Sequence, residues 1–407
     1  MTPRRRWPPH GPVLVTGANG YVASWLVKRL LEQGFDVHGT VRDPRDPVKT
    51  GHLRAMARDL PGTLSLFRAD LLDPGGFDRA MAGCPLVFHT ASPLIVRDVD
   101  DPVRDLIEPA TRGTRHVLEA ADRTPAVRRV VLTSSIVAIY GDAADLEQIE
   151  ADRFDESHWN TTSHEGHQPY SYSKTLSERL AWKMAEEQAR WDLVVVNPGL
   201  VLGPGLSRNT NAEGVLIMRD LGNGAHRVGA PELEFAIVDV RDVAEGHLQA
   251  GLIPEAEGRY ILVGETRSLI EIAGILRERF GDGFPSAPAH GAQSDGHRVR
   301  APGGDPPRRG EAQRGVSPEV RERARQDRAR HDLPSRRGDH CESLSTTAER
   351  RSRLRAPGRP PGPNAGVTLT SVADPHRLHV HELADRVGAE FAPVARAFDA
   401  AEGDAGI

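Results

Sequence analysis

The chain has 407 residues, 38% of them hydrophobic and 27% charged, with a net charge of −5. That length holds one large α/β domain or two smaller ones, and the acidic balance excludes a global electrostatic pull toward nucleic acid. Two isolated cysteines, Cys84 and Cys341, exclude a disulfide framework or a cysteine metal cluster and point to a reducing, cytoplasmic compartment.

The basic segment Met1–His10 is followed by no apolar signal core, and no run nears the ~18 apolar residues of a membrane span, so no membrane partner is expected. Pro12–Val15 reads as a first strand. Val22, Leu26, Val27, Leu30 and Leu31 follow at helical spacing, with Gly34 where a C-terminal glycine belongs. Further strands are expected at Asp36–Val41, Leu64–Arg68, Leu86–Thr90, Arg129–Thr133 and Leu193–Asn197, with helical stretches between most of them. Such alternation predicts an α/β fold with a doubly wound parallel sheet. Phe235–Asp239 and Tyr260–Val263 read as strands of a smaller C-terminal substrate lobe. From Ser286 the periodicity fails until a helical pattern at His381–Ala400.

The first strand runs into Gly17-Ala18-Asn19-Gly20-Tyr21-Val22-Ala23. Gly17 permits a tight turn, Gly20 lets the backbone approach a pyrophosphate, and Ala23 stands where helix and strand pack closely. A helix N-terminus offers free N–H groups and a favourable dipole to phosphates. The second strand ends on Arg42 rather than a carboxylate. An arginine there suits the 2′-phosphate of NADP(H), with Lys49 adding charge; the alternative is that both are solvated surface residues. Asp70-Leu71 follows the third strand, where a carboxylate can meet the adenine amino group or cap a helix. The small residues Thr90-Ala91-Ser92 close the fourth strand at the carboxyl edge, where ligands bind in open α/β sheets.

Ser135 closes the fifth strand at the same edge. Tyr170 and Lys174 are four apart, on one face of a predicted helix. Reduction of a carbonyl needs a proton donor, and a free tyrosine with pKa ~10 exchanges protons poorly at neutral pH. A nearby ammonium, together with the positive nicotinamide of the oxidised cofactor, is expected to lower it by ~3 units. Ser135 is placed to donate a hydrogen bond to the carbonyl oxygen. Tyr172 has no lysine four residues on and reads as a packing residue.

The segments Val15–Gly34, Val37–Pro44, Phe88–Pro93, Val131–Ser135, Tyr170–Trp182, Val194–Gly205 and Phe235–Ala250 resemble the extended short-chain dehydrogenases/reductases. The likeness is to the dihydroflavonol reductase and cinnamoyl-CoA reductase group and its bacterial aldehyde-reductase relatives. It implies a Rossmann-type domain with an interleaved substrate lobe over 12–285. It implies a catalytic set of Ser135, Tyr170 and Lys174, NADP phosphate contacts from Arg42 and Lys49, and Pro198 beside the nicotinamide. The implied function is NADPH-dependent reduction of an aldehyde or ketone, by a monomer or homodimer. A nucleotide-sugar epimerase or dehydratase that retains NAD, and a decayed reductase, stay open as alternatives; Arg42 argues against the first. Ala23 departs from the glycine of many relatives. The family's C-terminal part of the lobe is not visible after Pro285, where 286–407 reads as an aberrant, irregular or partly disordered region. Permitted codons for Ser286–Arg308 and Asp332–Cys341, read one base on, spell segments similar to the family's, so a shifted reading frame is expected there. Resequencing the gene checks it.

Overall fold

Strands of a parallel sheet are covered on both faces and therefore read as short continuous apolar runs. In the computed structural model, which describes residues 10–93, 100–149, 153–207, 212–225 and 233–281, each expected run forms a strand. These are β1 (Val13–Val15), β2 (Asp36–Val41), β3 (Thr63–Arg68), β4 (Leu86–His89), β5 (Arg129–Thr133) and β6 (Asp192–Pro198). The helices α1 (Tyr21–Glu32), α2 (Pro47–Asp59), α3 (Asp78–Met81), α4 (Glu108–Arg123) and α5 (Pro169–Glu186) lie between them. The last expectations, over 286–407 and with them Cys341, lie outside the described residues.

The main sheet has seven strands in the order β3-β2-β1-β4-β5-β6-β9, all parallel. Its last member, β9 (Gly258–Leu262), corrects the sequence reading. That run was expected in the substrate lobe, but it pairs along β6 from Val194↔Gly258 to Pro198↔Leu262 and extends the main sheet. Pairing partners are set by contacts distant in sequence, which a local pattern does not encode. The lobe sheet is instead β10-β8-β7, from β7 (Leu200–Leu202), β8 (Glu234–Asp239) and β10 (Glu265–Ser268). It packs with α6 (Glu213–Gly222) and α8 (Leu269–Phe280) around Leu202, Met218, Leu221, Ile237, Ile272 and Leu276.

Two apolar layers hold the main sheet. One joins Leu26, Val27 and Leu30 of α1 to Val240, Ala244 and Leu248 of α7 (Val240–Leu252). The other joins Val117, Leu118 and Ala121 of α4 to Ala181 and Met184 of α5. Each fully buried Leu or Val contributes about 1.5–3 kcal/mol of transfer free energy. The chain reverses direction across the sheet between β1 and β4, so the carboxyl ends of these two strands open a crevice at the switch point.

Candidate active site

At the end of β1 the chain turns through Gly17 at φ +63°, a conformation that side chains avoid. A Cβ there would sit 3.0 Å from the Ala91 methyl, so the glycine also lets the two loops of the crevice meet. Gly17 N donates to Thr40 Oγ1 (3.1 Å) and Ala18 N to Thr40 O (2.9 Å), fixing the turn against β2. Gly20 is the N-cap of α1, with no side-chain cap and no acidic residue in the first turn. The helix thus presents backbone donors and an unneutralised dipole to the crevice. The neighbouring side chains face the lobe: Tyr21 donates to Gly203 O at 2.6 Å and Trp25 Nε1 to Pro204 O at 2.8 Å. Val22 is half-buried.

Thr16 organises the facing loop. Its Oγ1 accepts from Thr90 N (3.1 Å) and Ala91 N (3.0 Å), and lies 3.0 Å from His89 Nδ1. Thr90 Oγ1 donates back to Thr16 O. Burial holds His89 down to about 3, and Lys174 adds to the effect, so its ring is neutral at physiological pH.

Arg42 follows β2 on the surface of a cavity of about 720 Å³, which Arg45, Arg68 and Arg79 also line. Lys49 is not among the lining residues; its ammonium lies 3.8 Å from Asp46. Sequence reasoning singled out Arg42 but passed over Arg45, Arg68 and Arg79, which come from three different segments. Asp70 Oδ1 accepts Leu72 N at 2.9 Å in a local turn, and Leu71 packs under Gly113 of α4.

Ser135 follows β5 and caps a short 3₁₀ turn, Ile136–Ala138; its carbonyl accepts from Asn197 Nδ2 at 3.1 Å. Helix α5 begins at Pro169, after Gln168 at φ +53°, the one non-glycine with positive φ among the described residues. Gln168 Nε2 donates to Asp142 Oδ1 (2.6 Å), which anchors this strained start just ahead of Tyr170. Tyr170 and Lys174 both lie on α5, as the spacing predicts, and Tyr172 is half-buried on the same helix. Lys174 is buried, its Nζ donating to Ser92 Oγ at 3.1 Å and lying 5.9 Å from the Tyr170 ring. Pro198 is buried at the end of β6, directly before Gly199 N donates to Leu262 O (3.0 Å).

The lowering expected for Tyr170 draws on the nicotinamide's positive charge as well as on Lys174; from the protein's own groups, burial pushes the phenol up to about 12, and the carboxylate of Glu213 adds to the shift. Burial brings Lys174 down to about 8, opposed by Glu178. Desolvation penalises both charged forms.

Sequence reasoning also missed Thr16, Glu178, Asn197 and Glu213. Glu178 is 0% exposed, and a carboxylate four residues past Lys174 on one helix face was a legible signal. Glu213 keeps Oε2 buried with no hydrogen-bond partner. Among the described residues there is no His, Cys, Asp or Glu cluster fit for a metal ion, and no helix long and apolar enough to cross a membrane. Cys84 is buried and free, its thiol pushed up to about 12 by burial.

Residues 13–264 match the sequence model of the NAD dependent epimerase/dehydratase family. The cinnamoyl-CoA reductase CAD2 of Medicago truncatula is 42% identical over 274 residues, covering 66% of this chain and 80% of that protein. Tetraketide alpha-pyrone reductase 1 of Arabidopsis thaliana is 38% identical over 284 residues, covering 68% and 82%. Among solved structures, yeast methylglyoxal/isovaleraldehyde reductase Gre2 complexed with NADPH superposes with a TM-score of 0.58 at 29% identity, covering 66% of this chain and 82% of the other.

Proposed function

This chain belongs to the NAD-dependent epimerase/dehydratase family, and from that premise we propose that Ser135, Tyr170 and Lys174 reduce an aldehyde or ketone to an alcohol. It is an oxidoreductase acting on carbonyl groups, the class of the relatives just described, and its cofactor is NADP(H), as in the yeast reductase complex. The residues present fit that cofactor. The uncapped, acid-free start of α1 beside Gly17 suits a pyrophosphate, and the guanidinium-lined cavity at Arg42 suits a 2′-phosphate. Gly17, Gly20, Tyr21 and Val22 would hold the first. Arg42 would hold the second, with Asp70 and Leu71 at the adenine; Thr90, Ala91, Ser92 and Pro198 would line the path to the nicotinamide. Lys49 would act on the phosphate only at longer range.

Bound NADPH supplies the hydride. Ser135 donates a hydrogen bond to the substrate carbonyl oxygen and draws off its developing charge. Tyr170 gives its phenolic proton to that oxygen. The raised phenol keeps the acid loaded across the neutral range, and an alkoxide is a much stronger base than phenolate, so the transfer runs downhill. Lys174 then stabilises the phenolate by its charge and, through Ser92, stays fixed over the end of β4.

The observation that carries this reading is the placement of Lys174: α5 sets it on one face with Tyr170, and its ammonium reaches the Ser92 hydroxyl at 3.1 Å, at the carboxyl edge beside the glycine turn. The test is NADPH consumption by the purified chain over a panel of aldehydes and ketones. Turnover with NADPH preferred over NADH supports it. NAD(H) that survives dialysis points instead to an epimerase or dehydratase, and no turnover with any carbonyl to a decayed reductase.

A further inference from the structure

Beneath the catalytic side chains lies a buried charge cluster that this mechanism does not use. Glu178 is 0% exposed and Arg259 of β9 nearly so, and they pair at 2.6 Å from Nε to Oε1. The other carboxylate oxygen of Glu178 accepts from Ser134 Oγ (2.5 Å) and from Asn197 Nδ2 (2.9 Å). Trp182 Nε1 donates to Oε1 at 3.3 Å. Arg259 in turn stacks over Trp159 at 3.9 Å and donates to the carbonyls of Glu156 (3.0 Å) and His158 (2.5 Å). One carboxylate therefore joins the ends of β5 and β6, the edge strand β9 and the catalytic helix. Ser134 precedes Ser135, and Asn197 holds the Ser135 carbonyl while preceding Pro198.

We propose that Glu178 is a positioning residue for this reaction, supplying the buried counter-charge to the Lys174 ammonium and clamping the strand ends that carry Ser135 and Pro198. The proposal rests on the reading of Tyr170 and Lys174 given above. Glu178 lies four residues past Lys174 on one helix, a spacing that makes side chains neighbours. The pair is buried, where screening is weak and an unpartnered ammonium is costly. The groups around Lys174 from the other elements do not take this role. His89 of β4 is neutral, Ser92 contributes a hydroxyl, Tyr170 is a protonated phenol, and Glu213 of α6 acts on that phenol. Arg259 neutralises part of Glu178 but is fixed by three elements at once and cannot follow Lys174. Glu178 opposes the effect of burial on the lysine, as this account requires.

The chain has only four lysines, Lys28, Lys49, Lys174 and Lys183, so Lys174 can be titrated directly by NMR of the chain labelled at the lysine ε-carbon, assigned with Lys174→Arg. In Glu178→Gln, Lys174 should titrate about one pH unit or more below the parent, the size expected for losing a buried opposite charge one helical turn away. The alkaline limb of turnover should move the same way. Ser134→Ala loses one hydrogen bond but no charge, and Glu178→Asp keeps the charge; both should titrate with the parent. A Lys174 titration unmoved in Glu178→Gln overturns the proposal. So does a downward shift of about one unit in Ser134→Ala or Glu178→Asp, an outcome that decides the matter even if Glu178→Gln does not fold. Because the titration is read without turnover, it fails or succeeds independently of the reductase assignment.

Discussion

Replacing Lys174 by Met should make the fold more stable while abolishing the reaction. The lysine is buried, and burial holds its ammonium at about 8 against an ordinary 10.5. Each pH unit corresponds to about 1.4 kcal/mol, so the charged side chain costs the fold about 3 kcal/mol below that value. The hydrogen bond to Ser92 is lost with it, a term of about 1 kcal/mol. Methionine fills similar space, and Glu178 keeps its pairing with Arg259. A net gain of about 2 kcal/mol is expected at pH 7. The sign with pH follows from linkage. The folded chain releases this proton near 8 and the unfolded chain near 10.5, so between them the unfolded state binds more protons and parent stability rises with pH. The advantage of Lys174→Met should therefore fade across that window. Urea unfolding at about pH 7 and about pH 10, beside turnover of NADPH with the best carbonyl found, tests it. A variant less stable than the parent at pH 7, or an equal advantage at both pH values, would refute the reasoning.

Tyr170→Phe removes only the acid; turnover should fall at least ~100-fold with NADPH affinity retained in a fluorescence titration, and a smaller loss sinks the assignment. Arg42→Asp should weaken NADPH by about 1–3 kcal/mol, roughly 5- to 150-fold in Kd, and leave NADH unchanged. The three other arginines of the cavity keep the loss at that modest level, and equal losses for both cofactors would show that the residue does not read the phosphate. Gly214→Ala places a Cβ 2.1 Å from Val201 O, where α6 meets β7; the thermal midpoint should drop, in line with about 1–3 kcal/mol of overpacking, and an unchanged midpoint would mean the helix shifts without cost.

Local pattern sufficed wherever one short segment carries its own physics. β2 over Asp36–Val41 and β5 over Arg129–Thr133 are read to the residue, because each carries β-branched residues in a short run bounded by turn or helix signals. The glycine turn was legible because its backbone conformation demands glycine at Gly17, and Tyr170 with Lys174 because a spacing of four is a helix face. β7 and β10 escaped notice: Leu200–Leu202 spans three residues and Glu265–Ser268 is polar, so neither has an alternation to detect. Whether β9 belonged to the lobe or the main sheet depended on its pairing with β6, some sixty residues away. The charge state at the centre was likewise a tertiary result. Sequence supplies an ammonium beside a phenol, which argues for a lowered phenol. Burial and Glu213 arriving from α6 push the Tyr170 phenol up in the protein's own field, while burial lowers Lys174 against Glu178, itself held by Ser134, Asn197 and Arg259. Those contributions are set by solvent exclusion and by distances between four separate elements. No spacing along the chain encodes them, so only the folded arrangement could decide them.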